Sequence, residues 1–270
     1  MKLAVCQLPT NLTPEHPAWA DFAWRLERAE ADLAVMNEMP FGEWISSRPA
    51  FDASVAADSV DLHESALPAL RRLPAAVLAS RPIQGKTRLC NEAFLMAEDG
   101  YRPVHHKHYF PEEEGFFEHT WFASDTPGFD VTEFRGVRIG VLLCTELMFT
   151  EWARHYRRQG AHVIVAPRAS GKYMRHWDAS ARMAAIVSGC YVVSSNRVSE
   201  AGTSGQVFGG RGFVYAPGGE LLGETSDATP LLRVTLDTAL VAEAQRNYPC
   251  NVRELENMRP TLTATAPLPR

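Results

Sequence analysis

Three residues that could do chemistry each follow an apolar or extended run in the sequence. Glu38 ends "ADLAVMNE", Lys107 ends "YRPVHHK" and Cys144 ends "RIGVLLC". A carboxylate, an ammonium and a thiol can act as a general base, as a cation for a developing oxyanion and as a nucleophile. The carboxyl ends of buried strands are where α/β enzymes hold such groups. We therefore take these three residues as candidate catalytic residues.

Each of these positions also has a simpler structural interpretation. Cys144 precedes the helix-like segment "LMFTEWARHYRRQG", so unpaired backbone N–H groups and the helix dipole are expected to favour its thiolate. A small buried core residue explains the position of Cys144 equally well. Glu38 alone would most simply be a strand-end carboxylate that faces water. Only the combination of the three residues favours catalysis.

The run His105, His106, Lys107 and His108 resembles a metal cluster at first sight. On an extended strand, however, alternate residues face opposite sides, so the histidines would be divided between two faces. No cysteine or carboxylate stands at zinc-ligand spacing from them. We therefore expect neither a metal nor another cofactor. None of the nine histidines stands out as a base for the thiol.

Composition limits the class of protein. The chain has 270 residues, 46% of them hydrophobic, and a formal net charge of −5, which gives no electrostatic argument for nucleic acid or an anionic membrane. No apolar run is long enough for a membrane helix, and the N-terminal stretch is typical of a first strand rather than a signal peptide. Five scattered cysteines without a CxxC pair favour free thiols and a cytoplasmic location.

The remaining pattern predicts an α/β fold in which strands alternate with helices. Helices are expected near 17–31, 61–72, 150–159 and 177–188, the second with a capping box from Asp61 to Glu64. The segment "NEAFLMAEDGYRPVHHKHY" predicts a hairpin that turns at 98–100. Nine strands are expected, in the runs "KLAVCQL", "ADLAVMNE", "AAVLASRPI", "CNEAFLMA", "RIGVLLC", "AHVIVAPR", "CYVVSSNR", "GRGFVYAP" and "PLLRVTL".

The three candidate motifs together resemble the nitrilase, or carbon–nitrogen hydrolase, superfamily over nearly the whole chain. The family's glutamate motif is similar to "LAVMNEMPF", its lysine motif to "YRPVHHKHYFP" and its cysteine motif to "GVLLCTELMFTEWAR". Asn37 stands where a proline is common, and Thr145 where many relatives have an aromatic residue. Amidase-like members also carry a further glutamate about eleven residues after the lysine, which Glu118 matches.

The resemblance implies a four-layer α-β-β-α sandwich spanning 1–258, an extended C-terminal tail over 259–270, and pairing of two chains into a homodimer or a higher oligomer. It also implies hydrolysis of a non-peptide C–N bond in a small amide through a cysteine thioester. In this mechanism Glu38 is the base, Glu118 positions Lys107 or the substrate amide, and Lys107 with the backbone N–H of Thr145 holds the oxyanion. Nitrile or N-carbamoyl hydrolysis with the same residues, and a non-catalytic thiol sensor, remain alternatives.

The substrate is less well determined by the sequence. No arginine follows Cys144 closely, which disfavours N-carbamoyl amino acids. Arg168 ends the next strand and could bind an acidic or carbonyl group of the substrate, or could form a structural salt bridge. Trp44 and Trp121 could form an aromatic wall of the substrate site, or could belong to the core. We keep Thr145, Arg168, Trp121 and Trp44 as candidate substrate-binding residues.

Overall fold

The computed structural model describes residues 1–126, 128–200, 202 and 206–253. The predicted boundary at 258 and the tail 259–270 lie outside them. The α-helices are α1 (Pro17–Ala29), α2 (Ala53–Arg71), α3 (Glu118–Trp121), α4 (Thr150–Arg158), α5 (Arg175–Ser188) and α6 (Thr238–Arg246), with 3₁₀ helices at Ile45–Ser47 and Cys144–Met148. The strands are β1 (Lys2–Pro9), β2 (Leu33–Val35), β3 (Ala76–Gln84), β4 (Leu89–Ala97), β5 (Gly100–His106), β6 (Glu112–Glu113), β7 (Phe116–Phe117), β8 (Thr132–Phe134), β9 (Val137–Val141), β10 (Val163–Val165), β11 (Tyr191–Ser194), β12 (Asn196–Val198), β13 (Phe213–Tyr215), β14 (Leu221–Glu224) and β15 (Leu231–Thr235).

Two large sheets carry most of these strands. The first has the order β12-β1-β2-β3-β4-β5, and β15 also pairs with β1. In it β1, β2 and β3 are parallel, while β4 and β5 form the predicted antiparallel hairpin. The second sheet has the order β14-β13-β11-β10-β9-β8, with β9, β10 and β11 parallel. Helices connect the parallel strands in both sheets, as the right-handed crossover of a βαβ unit requires.

Three apolar clusters show how the layers pack. One cluster joins side chains from both sheets, including Leu33 and Val35 from the first and Val163 and Val165 from the second. A second cluster joins the first sheet to α1 and α2, and a third joins the second sheet to α4 and α5. The order of layers is therefore helices, sheet, sheet and helices, as the sequence resemblance implies. Within the described residues, no helix is both long and apolar enough to cross a bilayer.

The run "CYVVSSNR" differs from its prediction as one strand. It forms two strands, β11 in the second sheet and β12 in the first, and the chain crosses between the sheets at Ser195. Ser195 is fully buried, and its hydroxyl accepts a hydrogen bond of 2.9 Å from the backbone N–H of Cys6. The backbone N–H of Arg168 also donates to Ser195 O over 2.9 Å, so polar groups of Ser195 are satisfied and the crossing can occur inside the protein.

The second predicted helix begins earlier than expected. Helix α2 starts at Ala53 because the Asp52 side chain caps it, accepting hydrogen bonds from the backbone N–H groups of Ser54 and Val55. The predicted capping box at Asp61 is therefore wrong, since Asp61 lies inside the helix. Helix α6 was not predicted. The expected helices near 17–31, 150–159 and 177–188 agree with α1, α4 and α5 to within two residues at each end.

Candidate active site

The two sheets bring Glu38 and Cys144 together at the carboxyl ends of their parallel strands. Each is the third residue after its strand, Glu38 after β2 and Cys144 after β9. The segment after β10 holds both backbones: the N–H of Glu38 donates to Arg168 O over 3.2 Å and the N–H of Cys144 donates to Pro167 O over 3.0 Å. Lys107 follows β5 directly and its N–H donates to Asn91 O over 2.9 Å. Three separate strand ends thus converge.

Lys107 is fully buried between two carboxylates. Its Nζ donates to Glu38 Oε1 over 2.8 Å and to Glu118 Oε2 over 2.5 Å. Burial on its own lowers the pKa of Lys107, but the charges of Glu118 and Glu38 outweigh burial and raise the pKa above its usual range. Lys107 therefore remains an ammonium at neutral pH, as a group that stabilises an oxyanion must.

Glu38 is also fully buried, and its two oxygens differ. Oε1 accepts hydrogen bonds from Lys107 and from Nδ2 of Asn91, the latter over 2.9 Å. Oε2 has no hydrogen-bond partner among the residues that the structure describes. Buried polar atoms usually have a partner, and those that lack one occur preferentially where a ligand or a proton is to be received. The free oxygen of Glu38 is therefore available to accept a proton.

Glu118 opens the short helix α3 and is 1% exposed. Burial raises its pKa to about 8, against the opposing effect of the Lys107 ammonium and with a further upward effect of Glu38. The neighbouring Glu112, Glu113 and Glu114 are exposed. Glu118 is therefore the carboxylate of this segment that contacts Lys107. Its position about eleven residues after Lys107 is the spacing on which the sequence prediction rested.

Cys144 stands at the start of the 3₁₀ helix and has a φ of +49°, a backbone conformation that residues other than glycine rarely adopt. Strained residues of this kind are concentrated at functional sites. The expectation that the thiolate is favoured is wrong for this state: burial raises the pKa of the Cys144 thiol, the Glu38 charge raises it further, and Lys107 opposes the rise. The resting group is a thiol, which needs a base before it can attack.

A cavity of about 450 Å³ opens onto Cys144. Of the candidate substrate-binding residues Thr145 lines it, whereas Arg168, Trp121 and Trp44 do not. Trp121 and Trp44 belong to an apolar cluster and are 0% and 4% exposed. The described residues that line the cavity are Pro111, Glu112, Glu113, Phe116, Glu118, Cys144, Thr145, Met148, Ala169, Ser170, Gly171, Tyr173, His176 and Trp177.

Arg168 is fully buried and its donors have protein partners. Nε donates to Ser194 Oγ over 2.7 Å, Nη1 to Ser170 Oγ over 2.9 Å and Nη2 to the carbonyl of Arg211 over 2.8 Å. Its guanidinium also lies over the rings of Trp177 and Phe213. None of these partners is a carboxylate, so the predicted salt bridge is not among the contacts of Arg168 in the described part of the chain. Arg168 does not line the cavity, and it links the end of β11 to the segment after β10.

Sequence reasoning missed three residues that support the site. Asn91 holds Glu38, as described above. Arg197 is fully buried and donates to the carbonyl oxygens of Glu38, Met39 and Gly42, so it fixes the loop that carries Glu38. Burial lowers the pKa of Arg197 to about 10. Asn91 lies inside the quoted run "CNEAFLMA", and Arg197 ends the quoted run "CYVVSSNR". A polar or charged side chain in a strand-like run was the available signal for both residues.

Glu146 is the third missed residue, and it connects the loops of Cys144 and Lys107. Its Oε2 accepts from the N–H of Leu143 over 2.8 Å and lies 2.7 Å from Nε2 of His105. Its Oε1 accepts from the N–H of His108 over 2.7 Å. Leu143 directly precedes Cys144 and His108 directly follows Lys107. One buried carboxylate therefore fixes the spacing between the two candidate catalytic loops.

The histidine run has structural partners. His105 contacts Glu146 and the Nε2 of His106 lies 3.2 Å from Glu92 Oε2. Burial lowers the pKa of His108 to about 4. In the described part of the chain, no group of three or more His, Cys, Asp or Glu side chains is arranged to hold a metal ion.

Comparison with known proteins places this geometry in a family. Residues 2–246 match the carbon-nitrogen hydrolase family. Among curated proteins, the N-carbamoylputrescine amidase of Arabidopsis thaliana is 28% identical over 145 residues, which cover 48% of each chain. The chain thus spans about half the length of that relative in the alignment.

Two solved structures are similar over nearly the whole chain. A carbon-nitrogen hydrolase from Helicobacter pylori G27 has a TM-score of 0.80 at 22% identity, with 93% of this chain and 94% of that chain covered. An amidase from Nesterenkonia sp. has a TM-score of 0.72 at 26% identity, covering 92% and 96%. The first likeness shows the fold. With the family match over residues 2–246, these findings establish that this chain belongs to the carbon–nitrogen hydrolase family.

Proposed function

We propose that the protein hydrolyses a small amide through an acyl adduct on Cys144. The observation that carries the proposal is the buried Lys107 ammonium bonded to both Glu38 and Glu118, next to a thiol that lines a cavity. The Arabidopsis relative and the Nesterenkonia structure are both named amidases, which supports this choice within the family.

The first half of the reaction forms the adduct. The free Oε2 of Glu38 takes the proton of the Cys144 thiol as sulfur attacks the carbonyl carbon. The carbonyl oxygen becomes an oxyanion, which the Lys107 ammonium and the backbone N–H of Thr145 stabilise. When the C–N bond breaks, Glu38 returns the proton to the nitrogen, and ammonia or an amine leaves. A thioester remains on Cys144.

The second half of the reaction releases the acid. Glu38 removes a proton from water as the water oxygen attacks the thioester carbon, and the same two donors hold the second oxyanion. Collapse breaks the C–S bond, and the thiol recovers its proton from Glu38. Glu118 holds Lys107 from the other side throughout.

Replacing the nucleophile tests the proposal. We expect Cys144→Ala to abolish ammonia release from amides, while urea unfolding shows a fold as stable as the wild type to within about 1 kcal/mol. Cys190→Ala is the matched control, because Cys190 is another buried free thiol that does not line the cavity. Turnover retained in Cys144→Ala, after correction for the folded fraction, would exclude this mechanism.

Product analysis separates the alternatives. An amidase converts an amide and leaves the corresponding nitrile unchanged, a nitrilase converts the nitrile, and an N-carbamoyl hydrolase releases carbon dioxide with ammonia. Mass spectrometry of a matched amide, nitrile and carbamoyl compound therefore decides between them. Labelling of Cys144 by an electrophile without turnover of any of the three would favour a thiol sensor instead.

A homodimer is a second part of the proposal. The expectation of pairing rests on the family resemblance. Its candidate contacts are the segment "EWARHYRRQGA", most of which lies in helix α4, and the C-terminal tail over 259–270, which lies outside the described residues. Light scattering at micromolar concentration is expected to give twice the chain mass of 30.0 kDa. A monomer at that concentration would count against pairing without affecting the proposed chemistry.

A further inference from the structure

The wall of the cavity that opens onto Cys144 contains aromatic rings and carboxylates. Phe116, Tyr173 and Trp177 line it, and Tyr173 is 57% exposed. Aromatic faces attract apolar groups and cations, because the ring face is electron-rich. If the proposed function holds, this wall contacts the part of the amide that does not react.

The acidic side chains of this wall outnumber the basic ones. The described residues that line the cavity include Glu112, Glu113 and Glu118, one histidine, His176, and no lysine or arginine. Glu118 is bonded to Lys107, and the Glu112 carboxylate accepts from the N–H and the hydroxyl of Thr120 over 3.0 and 2.6 Å.

Glu113 differs from the other two carboxylates. It is exposed, and its side chain has no hydrogen bond or ion pair with another residue in the described part of the chain. Lys172 and Arg175 are the nearest cations along the chain to Tyr173, and both are exposed without lining the cavity. A free carboxylate at the cavity wall can therefore pair with a cation that enters with the substrate.

Arg168 does not offset this charge. It directly precedes the cavity residues 169–171, but its three nitrogens donate to Ser194, Ser170 and Arg211 O. No lysine or arginine is among the described residues that line the cavity, so a substrate carboxylate would meet the carboxylate of Glu113 without a lining cation of that kind to bind it. Like charges brought together at a binding surface select against the wrong ligand.

We propose that Glu113 determines specificity, and that the cavity takes amides whose far end is a cation, such as a primary ammonium, in preference to amides that end in a carboxylate. The ammonium would lie against Glu113 and the aromatic rings of the wall. This inference rests on the proposed function, so its test must be able to fail separately.

Three five-carbon amides provide the first test: 5-aminopentanamide ends in an ammonium, pentanamide is uncharged at its far end, and glutaramate ends in a carboxylate. For the wild type we expect kcat/KM to be highest for the cation and lowest for the anion, at least about tenfold apart. The difference should shrink as the salt concentration rises, because salt screens exposed charges. Equal values for the three amides, or a preference for the anion, would overturn the inference.

Variants identify the residue responsible. Glu113→Gln is expected to lower kcat/KM for 5-aminopentanamide about fivefold and to leave kcat/KM for pentanamide unchanged. An effect of this size is expected from the loss of one exposed charge pair. Glu113→Lys should reverse the order of the cation and the anion. Glu114→Gln is the matched control, because Glu114 directly follows Glu113, is exposed as well, and does not line the cavity. Equal effects of Glu113→Gln and Glu114→Gln would sink the assignment.

A second measurement does not depend on turnover. Pentylamine, pentanol and pentanoate are added while acrylamide alkylates Cys144, and the modified cysteine is identified by peptide mapping. We expect pentylamine to protect Cys144 most and pentanoate least, and Glu113→Gln to remove the difference. If no amide is hydrolysed but this order of protection holds, the proposed function fails and the cavity assignment stands. If amides are hydrolysed without charge discrimination, only this inference fails.

Discussion

Glu38 and Glu146 are both fully buried carboxylates that follow the end of a parallel strand, yet their oxygens are bonded differently. Both oxygens of Glu146 have partners, which are two backbone N–H groups and the His105 ring. Glu38 has partners on Oε1 only. A buried carboxylate with partners on both oxygens fixes structure, whereas one with an unoccupied oxygen retains the capacity to take a proton. The comparison therefore separates a positioning residue from a candidate base.

The largest effect is expected when the free oxygen of Glu38 is removed as a base. Glu38→Gln keeps the side-chain shape and can still accept from Lys107, but it cannot take the thiol proton. We expect kcat to fall about 10³-fold, within the range that general bases contribute. The free energy of unfolding should fall by less than it does for Glu146→Gln, because Lys107 keeps Glu118 as a buried counter-charge. Ammonia release and urea unfolding measure the two quantities.

The reverse pattern is expected for Glu146→Gln. The glutamine amide keeps one acceptor oxygen but places its NH2 group against one of the two backbone N–H donors, so hydrogen bonds to a buried charge are lost and that donor is left unpaired. We expect a loss of about 3 kcal/mol in the free energy of unfolding. The kcat of the folded fraction should fall by only about tenfold, through displacement of the Cys144 and Lys107 loops. Undiminished stability with a loss of activity as large as that of Glu38→Gln would break the comparison.

Local pattern was enough to predict most strands and the hairpin, because each is an apolar run bounded by turn residues. It failed where a partner far along the chain decides the structure. Nothing within "CYVVSSNR" indicates that one half pairs with β13 and the other with β1. The start of helix α2 was missed for a different reason. The Asp52 cap is local, but the residues after it show weak apolar periodicity, so periodicity alone did not place the start of the helix at Ala53.

The site shows the same division. Glu38, Lys107 and Cys144 could be selected from residue type, strand ends and resemblance, and the structure brings them together. The partners Asn91, Arg197 and Glu146 could not be selected, because their roles depend on contacts across 38 to 159 residues of sequence. Arg168 shows the opposite case. Its position at a strand end predicted a contact with the substrate, but the hydroxyls of Ser194 and Ser170 bind its side chain, which does not line the cavity.

Glu118 provides the smallest test, and it belongs to the Glu38 side of the comparison because both carboxylates share Lys107. Burial raises the pKa of Glu118 to about 8, from 4.5 when unperturbed, so between these values the folded protein holds a proton that the unfolded chain has released. Stability from this group is therefore lost as pH rises from 4.5 to 8, by about 1 kcal/mol per pH unit.

Glu118→Gln lacks the titration, so its stability relative to the wild type should increase over this range. The histidines with lowered pKa, His63 and His108, act in both proteins and cancel in the difference. Urea unfolding at several pH values between 5 and 8 measures this difference in stability, and Glu112→Gln is the exposed control. A difference that stays constant with pH would show that Glu118 is ionised throughout and that Lys107 is held by two full charges.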